Sequence, residues 1–199
     1  MKSVKTTVIV AIFCLLAVAL PYSAVQAVVV RQINLAKMTG SAGYIFSGVC
    51  INREIIYDKD IQREVYVFTF RVNQMIKGAP RNQFTVRTSK ILVEMKQVPI
   101  YSVGDEVVLF LYRESRLGFT SPVGLGQGKF SVRYLPDGAK KVINENNNLN
   151  LFKGMDRPEY MEKFMKSSYQ NRITDILTQK SGPVNYDIFL AITEALIKR

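Results

Sequence analysis

Residues 103–112 read Val103-Gly104-Asp105-Glu106-Val107-Val108-Leu109-Phe110-Leu111-Tyr112. Gly104 and Asp105 form a turn that launches an unbroken apolar run from Val107 to Tyr112. Neighbouring residues of a strand face opposite ways, so six apolar residues in succession need cover on both faces. A buried helix of that length would be too short. The run therefore predicts a central strand of a closed or double-layered sheet.

The segments around it supply neighbours. Tyr44–Ile56 reads as a long strand, with Cys50 on the face of Phe46 and Gly48. Glu64–Ile76 alternates clearly: Tyr66, Phe68, Phe70 and Val72 on a core face, Val65, Val67, Thr69, Arg71 and Asn73 on the other. Lys77-Gly78-Ala79-Pro80 is a turn, and Gln83–Ser89 returns with Phe84 and Val86 inward. A connection holding Pro99 leads to the central strand. Phe119–Val123 is a further short strand, Lys129–Leu135 another, and Lys140–Ile143 its hairpin partner. Edges are a liability for a sheet protein, which favours closure. The expected fold is mainly β with C-terminal α: an OB-like antiparallel five-stranded β-barrel over residues 42–144.

Before the barrel, residues 28–41 form a lead-in, with a short helix over 33–40 ended by Gly40. After it, residues 145–155, rich in asparagine, read as a linker. Residues 156–199 read as a two-helix appendage. Asp156 and Pro158 start its first helix, with a stripe of Tyr160, Met161, Phe164 and Met165. Asn185 caps the last, with a stripe of Ile188, Phe189, Ile192, Ala195 and Leu196.

The first 27 residues have the layout of a secretory signal. Lys2 and Lys5 precede an apolar stretch from Val8 to Leu20, Pro21 breaks it, and Val25-Gln26-Ala27 offers a cleavage site. The apolar stretch is short beside the roughly 20 residues of a membrane span. The alternative is an uncleaved N-terminal anchor. Export to the periplasm or the extracellular space is expected, with no transmembrane segment after cleavage. Cleavage would leave one cysteine, Cys50, and hence no internal disulfide. Cys50 is expected to be a buried small hydrophobe, the alternative being an intermolecular disulfide.

The chain has 199 residues, 48% of them apolar, enough for a substantial core. Its net charge of +11 falls to +9 when Lys2 and Lys5 leave with the signal. Such a charge suits anionic partners. It contains no histidine. That excludes serine–histidine and cysteine–histidine hydrolases and His-ligated metal sites.

Motifs for chemistry are weak. Gly124-Leu125-Gly126-Gln127-Gly128-Lys129 lacks the first glycine of a phosphate loop, where Val123 stands, and Phe130 replaces its Ser or Thr. We read it as a turn where backbone passes close to backbone. Asp105 and Glu106 face opposite ways on a strand start and make no acid/base pair. Asp58, Asp60 and Glu64 lack the spacing of a calcium loop. No cofactor, no catalytic residue and no metal site is expected.

The placement of cations is more informative. No acid lies between Glu64 and Glu94, while Arg71, Lys77, Arg81, Arg87 and Lys90 do. These five sit on one expected hairpin, residues 65–93, and are the candidate anion- or partner-binding residues. The alternative is a solvated hairpin that keeps the protein soluble.

Several stretches resemble a family of secreted, uncharacterised bacterial proteins: I-F-S-G-V at 45–49, F-R-V-N-Q-M-I-K-G at 70–78, V-G-D-E-V-V-L-F-L at 103–111, V-G-L-G-Q-G-K-F at 123–130 and Y-D-I-F-L-A-I at 186–192. Their order is also similar to tissue-inhibitor/netrin-like modules, which implies an OB-type barrel. The inhibitors of that superfamily ligate a protease zinc through an N-terminal cysteine. Here the expected mature N-terminus is Val28, so that mechanism is not carried over. The function expected is a secreted, non-enzymatic binding module contacting a protein or envelope component. A polyanion or nucleic-acid binder using the basic hairpin is the alternative, and an enzyme built from carboxylates, Ser, Lys or Tyr a third possibility.

Overall fold

The computed structural model of the protein describes residues 31–155 and 167–198. The expected signal segment and the helix start at Asp156 and Pro158, with its stripe from Tyr160 to Met165, lie outside the described residues. In order, the elements are α1 (Leu35–Ser41), β1 (Tyr44–Asp58), β2 (Arg63–Lys77), β3 (Gln83–Ser89), α2 (Lys90–Glu94), β4 (Glu106–Leu111), β5 (Lys129–Tyr134), β6 (Lys140–Asn144), α3 (Ser167–Thr178), β7 (Val184–Asn185) and α4 (Tyr186–Ile197). No helix among the described residues is long and apolar enough to cross a membrane.

The strands form one seven-stranded sheet in the order β3-β2-β1-β4-β5-β6-β7, with every ladder antiparallel. β4 is its middle strand, and Val107 to Leu111 are all buried. Val107, Leu109 and Leu111 face a cluster with Phe46, Cys50, Phe68, Phe70, Phe84 and Val86. Val108 and Phe110 face a second cluster with Ile45, Phe130, Val142 and residues of α1, α3 and α4. Both faces of the apolar ribbon are covered, as its sequence requires.

The five-stranded closed barrel is not what provides that cover. The sheet is open. One face of β4 is covered where β1, β2 and β3 curl over it, and the other by α1, α4 and Leu151–Phe152. A run of apolar residues asks for two layers and does not say whether the second is sheet or helix. β5 and β6 extend the sheet outward from β4. Phe119–Val123 is not a strand but a strap with one isolated bridge to each side, Arg87 to Phe119 and Leu111 to Pro122. It is held by Thr120 N–H to the Arg87 carbonyl (3.2 Å), Tyr112 N–H to Ser121 (3.1 Å) and Val123 N–H to Phe110 (2.8 Å).

Helices α1, α3 and α4 belong to the second cluster. Asn185 caps α4 by accepting from Ile188 N–H at 3.1 Å, and Ile188, Phe189, Ile192 and Ala195 are buried. Ile173 of α3 joins them. At the other end Asn34 caps α1 by accepting from Lys37 N–H at 2.9 Å. That helix runs through Gly40 to Ser41, because Leu35, Met38 and Thr39 are buried and hold its last turn.

Residues 145–155, expected as a linker, are a series of turns packed on the domain. Leu151 and Phe152 lie in the core. Asn144 and Asn148 are buried and clasp each other: each side chain accepts from the other's backbone N–H, at 2.8 and 2.9 Å. Asn148 also donates to the carbonyls of Val142 and Gly182, both at 2.9 Å. Such bonds satisfy polar groups that burial would otherwise penalise by a few kcal/mol, roughly 1–3 each.

Candidate functional site

The five basic residues of the β2–β3 hairpin do not converge. Lys77 and Arg81 lie at its turn end, Arg87 and Lys90 at its opposite end, and Arg71 opposes Gln83 between them. Most are engaged. Lys77 donates to the Thr39 carbonyl at 2.8 Å, and burial, then nearby Arg113, pulls its pKa down. The Arg81 guanidinium lies over the rings of Phe84 and Tyr44, at 4.8 and 5.3 Å from their centroids. Arg87 pairs with Asp58 and donates to the Leu117 carbonyl at 3.1 Å. Lys90 bonds Glu64 at 2.6 Å, which raises its pKa, with Glu94 at 3.8 Å. Arg71 is exposed and has no ion-pair partner among the described residues.

The acids singled out by sequence are likewise committed. Asp58 is buried; one carboxylate oxygen accepts from the Asp60 and Ile61 amides at 2.8 and 3.3 Å. Asp105 accepts from Ser102 N–H at 2.9 Å and closes the turn before β4. Glu106 binds Lys140 at 2.9 Å and accepts from the Tyr134 hydroxyl. No group of three acids or thiols placed to hold a metal ion occurs among the described residues.

Cys50 is fully buried and free, and burial, then nearby Asp105, raises its thiol pKa. The Gly124–Gly128 turn brings backbone against backbone: a Cβ at Gly128 would sit 2.6 Å from the Val123 carbonyl oxygen. Gly124 has φ +66° and packs on Ile33. The Gln127 side chain is buried, accepting from Ile33 N–H and donating to the Arg31 carbonyl, both at 3.1 Å. The turn therefore pins the N-terminal lead-in.

Sequence reasoning missed a cleft of about 1010 Å³ beside that turn. Its apolar lip is Leu92, Met95, Tyr112 and Phe119. Thr88 and Ser89, at the end of β3, line it together with Thr120 and Ser121 of the strap, and Lys96 and Arg113 are its cations. Glu145 lies against Gly126, where a Cβ would meet its carboxylate oxygen at 2.0 Å. Two hydroxyls are already used, Thr120 donating to the Tyr112 carbonyl (2.8 Å) and Ser115 accepting from Phe119 N–H (3.2 Å).

Lys96 has φ +55°, in the left-handed region after α2 where glycine is the favoured residue. There Lys96 N–H bonds the Val93 carbonyl and Gln97 N–H that of Leu92, both at 2.9 Å. The only sequence trace of the cleft is the apolar run Ile91-Leu92-Val93 with Met95, inside a stretch that otherwise reads as connection. Compared with known proteins, the chain matches no protein-family model and no curated protein.

Proposed function

We propose that the protein is a non-enzymatic binding module that holds a protein or envelope component in the cleft between α2 and the Gly124–Gln127 turn. The carrying observation is the exposed apolar lip of a large concave surface. Met95 is 60% exposed and Tyr112 43%. Large apolar groups left bare around a concavity suit a ligand that covers them. Lys96, kept in a conformation that costs a non-glycine residue about 1 kcal/mol, adds a cation at the rim. A partner segment with an apolar side chain and an acid would fit both. Export and the netrin-like kinship are parts of the same proposal, the first resting on the layout of residues 1–27 and the second on the order of the sequence stretches that carry the resemblance.

Affinity capture from envelope extract by the purified protein, at two salt concentrations, tests this. A component retained by the wild type should be lost with Met95→Glu, a substitution at an exposed side chain that leaves the fold intact. Retention by both proteins would refute the cleft as the binding surface.

Polyanion binding through residues 65–93 is the second reading. It is favoured by Arg71, exposed and outside any ion pair among the described residues. Retention that falls steeply with salt and with Arg71→Glu, while surviving Met95→Glu, would replace the first reading by the second.

A further inference from the structure

β1 is longer than the strand beside it. β4 pairs only with Tyr44–Val49. Cys50 closes that side, its N–H bonding the Asp105 carbonyl at 2.9 Å and its carbonyl accepting from Gly104 N–H at 2.8 Å. Beyond Cys50, β1 pairs with β2 alone, and no strand lies on its other flank among the described residues. Residues 51–57 are all exposed, including Ile51, Ile55, Ile56 and Tyr57; Ile55 is 45% and Tyr57 62% exposed.

The other margins of the sheet are guarded. β3 is crossed at Arg87 by the strap, and β7 has only Val184 and Asn185. A bare strand flank carries a row of backbone donors and acceptors that another strand's backbone matches in spacing.

We infer that this flank pairs with the same flank of a second copy of the chain, in an antiparallel two-fold dimer centred on Ile55. Opposed residues of an antiparallel pair point to one face, while neighbours along a strand point to opposite faces. A two-fold between identical strands therefore falls on a residue, never between two. Centring on Arg53 sets arginine against arginine, and on Glu54 carboxylate against carboxylate. Centring on Ile56 opposes Glu54 to Asp58. Like charges directly opposed are unfavourable.

Centring on Ile55 avoids each clash. Ile55 meets Ile55, Arg53 lies against the Tyr57 ring twice, Glu54 meets Ile56, and Asn52 meets Asp58. This register spans residues 52–58, which is the flank left free beyond the bulge at Cys50 and Asn52. Arg53 and Glu54 cancel and Asp58 is paired with Arg87, so a chain of net charge +11 presents a locally neutral stretch here. Pairing about a two-fold uses both flanks at once and closes the assembly. The dimer surface is separate from the cleft, and either can stand without the other.

Sedimentation or light scattering of the purified chain tests it. The expected result is a dimer whose dissociation constant rises at least about tenfold with Ile55→Lys, while circular dichroism is unchanged. Register is read by cysteines. Ile55→Cys should form a disulfide-linked dimer in air, as should a mixture of Arg53→Cys and Tyr57→Cys chains, while neither of those two does so alone. A chain that stays monomeric at concentrations on the order of 100 μM would overturn the inference. So would a dimer indifferent to Ile55→Lys, or one cross-linked through Arg53→Cys alone.

Discussion

Asp58, the last residue of β1, forms an ion pair with Arg87 of β3, so the pair joins two strands that are not neighbours in the sheet. The carboxylate is also bonded by the amides of Asp60 and Ile61, which fix the turn into β2.

Removing one member of such a pair leaves the other charge poorly solvated. Asp58→Ala is expected to destabilise the protein by about 2–4 kcal/mol, read by urea unfolding. A loss under about 0.5 kcal/mol, the range of ordinary surface substitutions, would show that the pair is ornamental. Arg87→Glu should be equally harmful, because it sets two carboxylates together. That change is therefore a poor probe of anion binding. Arg71→Glu is the clean one: it should leave the urea midpoint unchanged while lowering the salt-dependent part of any polyanion affinity.

Asp58 also shows where sequence reasoning runs out. In the sequence it stands in a polar triplet with Lys59 and Asp60, and nothing marks Arg87, far along the chain, as its partner. Local patterns were legible: the alternation of β2, the inward Phe84 and Val86, the cap at Asn185, the buried Cys50 and the two-faced burial of Val107–Leu111. What failed was non-local. Barrel closure was inferred from the two-faced apolar run of β4 and from the liability of bare edges, yet the sheet is open and helices cover the second face. The asparagines after β6 looked like linker because a polar side chain buried by a mutual clasp has the composition of a loop. The cleft is assembled from α2, the strap and Glu145, none of which carries a catalytic pattern.

The Tyr101 hydroxyl is buried without a hydrogen-bond partner among the described residues, in the cluster of Phe46, Phe68 and Phe70. Its ring stands edge-on to Phe68 and Phe70, at 4.9 and 5.1 Å between centroids. Removing an unsatisfied hydroxyl while keeping the ring should cost nothing or stabilise by about 1 kcal/mol, so Tyr101→Phe should shift the urea midpoint upward or leave it. A clear loss of stability would mean that the hydroxyl has a partner, such as a buried water.

The same residue sets a pH dependence. Burial, then the charge of Glu145, raises the Tyr101 pKa far above its ordinary value. The unfolded chain then loses this proton near pH 10 while the folded chain keeps it. Its contribution to stability is complete below about pH 10 and declines as pH rises beyond it. Tyr101→Phe has no proton to lose and should fall less steeply over that range. Identical alkaline slopes for the two proteins would remove Tyr101 as the cause.

Gly128 links the cleft wall to β5. A Cβ there would meet the Val123 carbonyl oxygen at 2.6 Å, Val123 N at 2.7 Å and the Phe110 carbonyl oxygen at 3.0 Å. All three are backbone atoms, which cannot swing aside as a side chain could. Gly128→Ala should therefore cost about 1–3 kcal/mol, as overpacking does. Gly138→Ala is a useful contrast, because its Cβ would meet open space and only the φ of +80° opposes it. Equal losses at the two positions would mean that backbone strain, not crowding, decides the cost.

Phe189 decides whether α4 is an appendage or part of the fold. It is fully buried, 4.7 Å from Phe130 of β5 and 6.0 Å from Phe110 of β4 between ring centroids. These rings lie on the outer face of the middle strand, the face a closed barrel would have left to solvent. Phe189→Ala should cost about 3–5 kcal/mol, through lost burial and the cavity left behind. Because the helix and β4 share one cluster, unfolding should remain a single transition by both circular dichroism and tyrosine fluorescence, moved to lower urea. Loss of helical signal ahead of the fluorescence change would show that α4 detaches on its own and that the inner cluster alone holds the sheet.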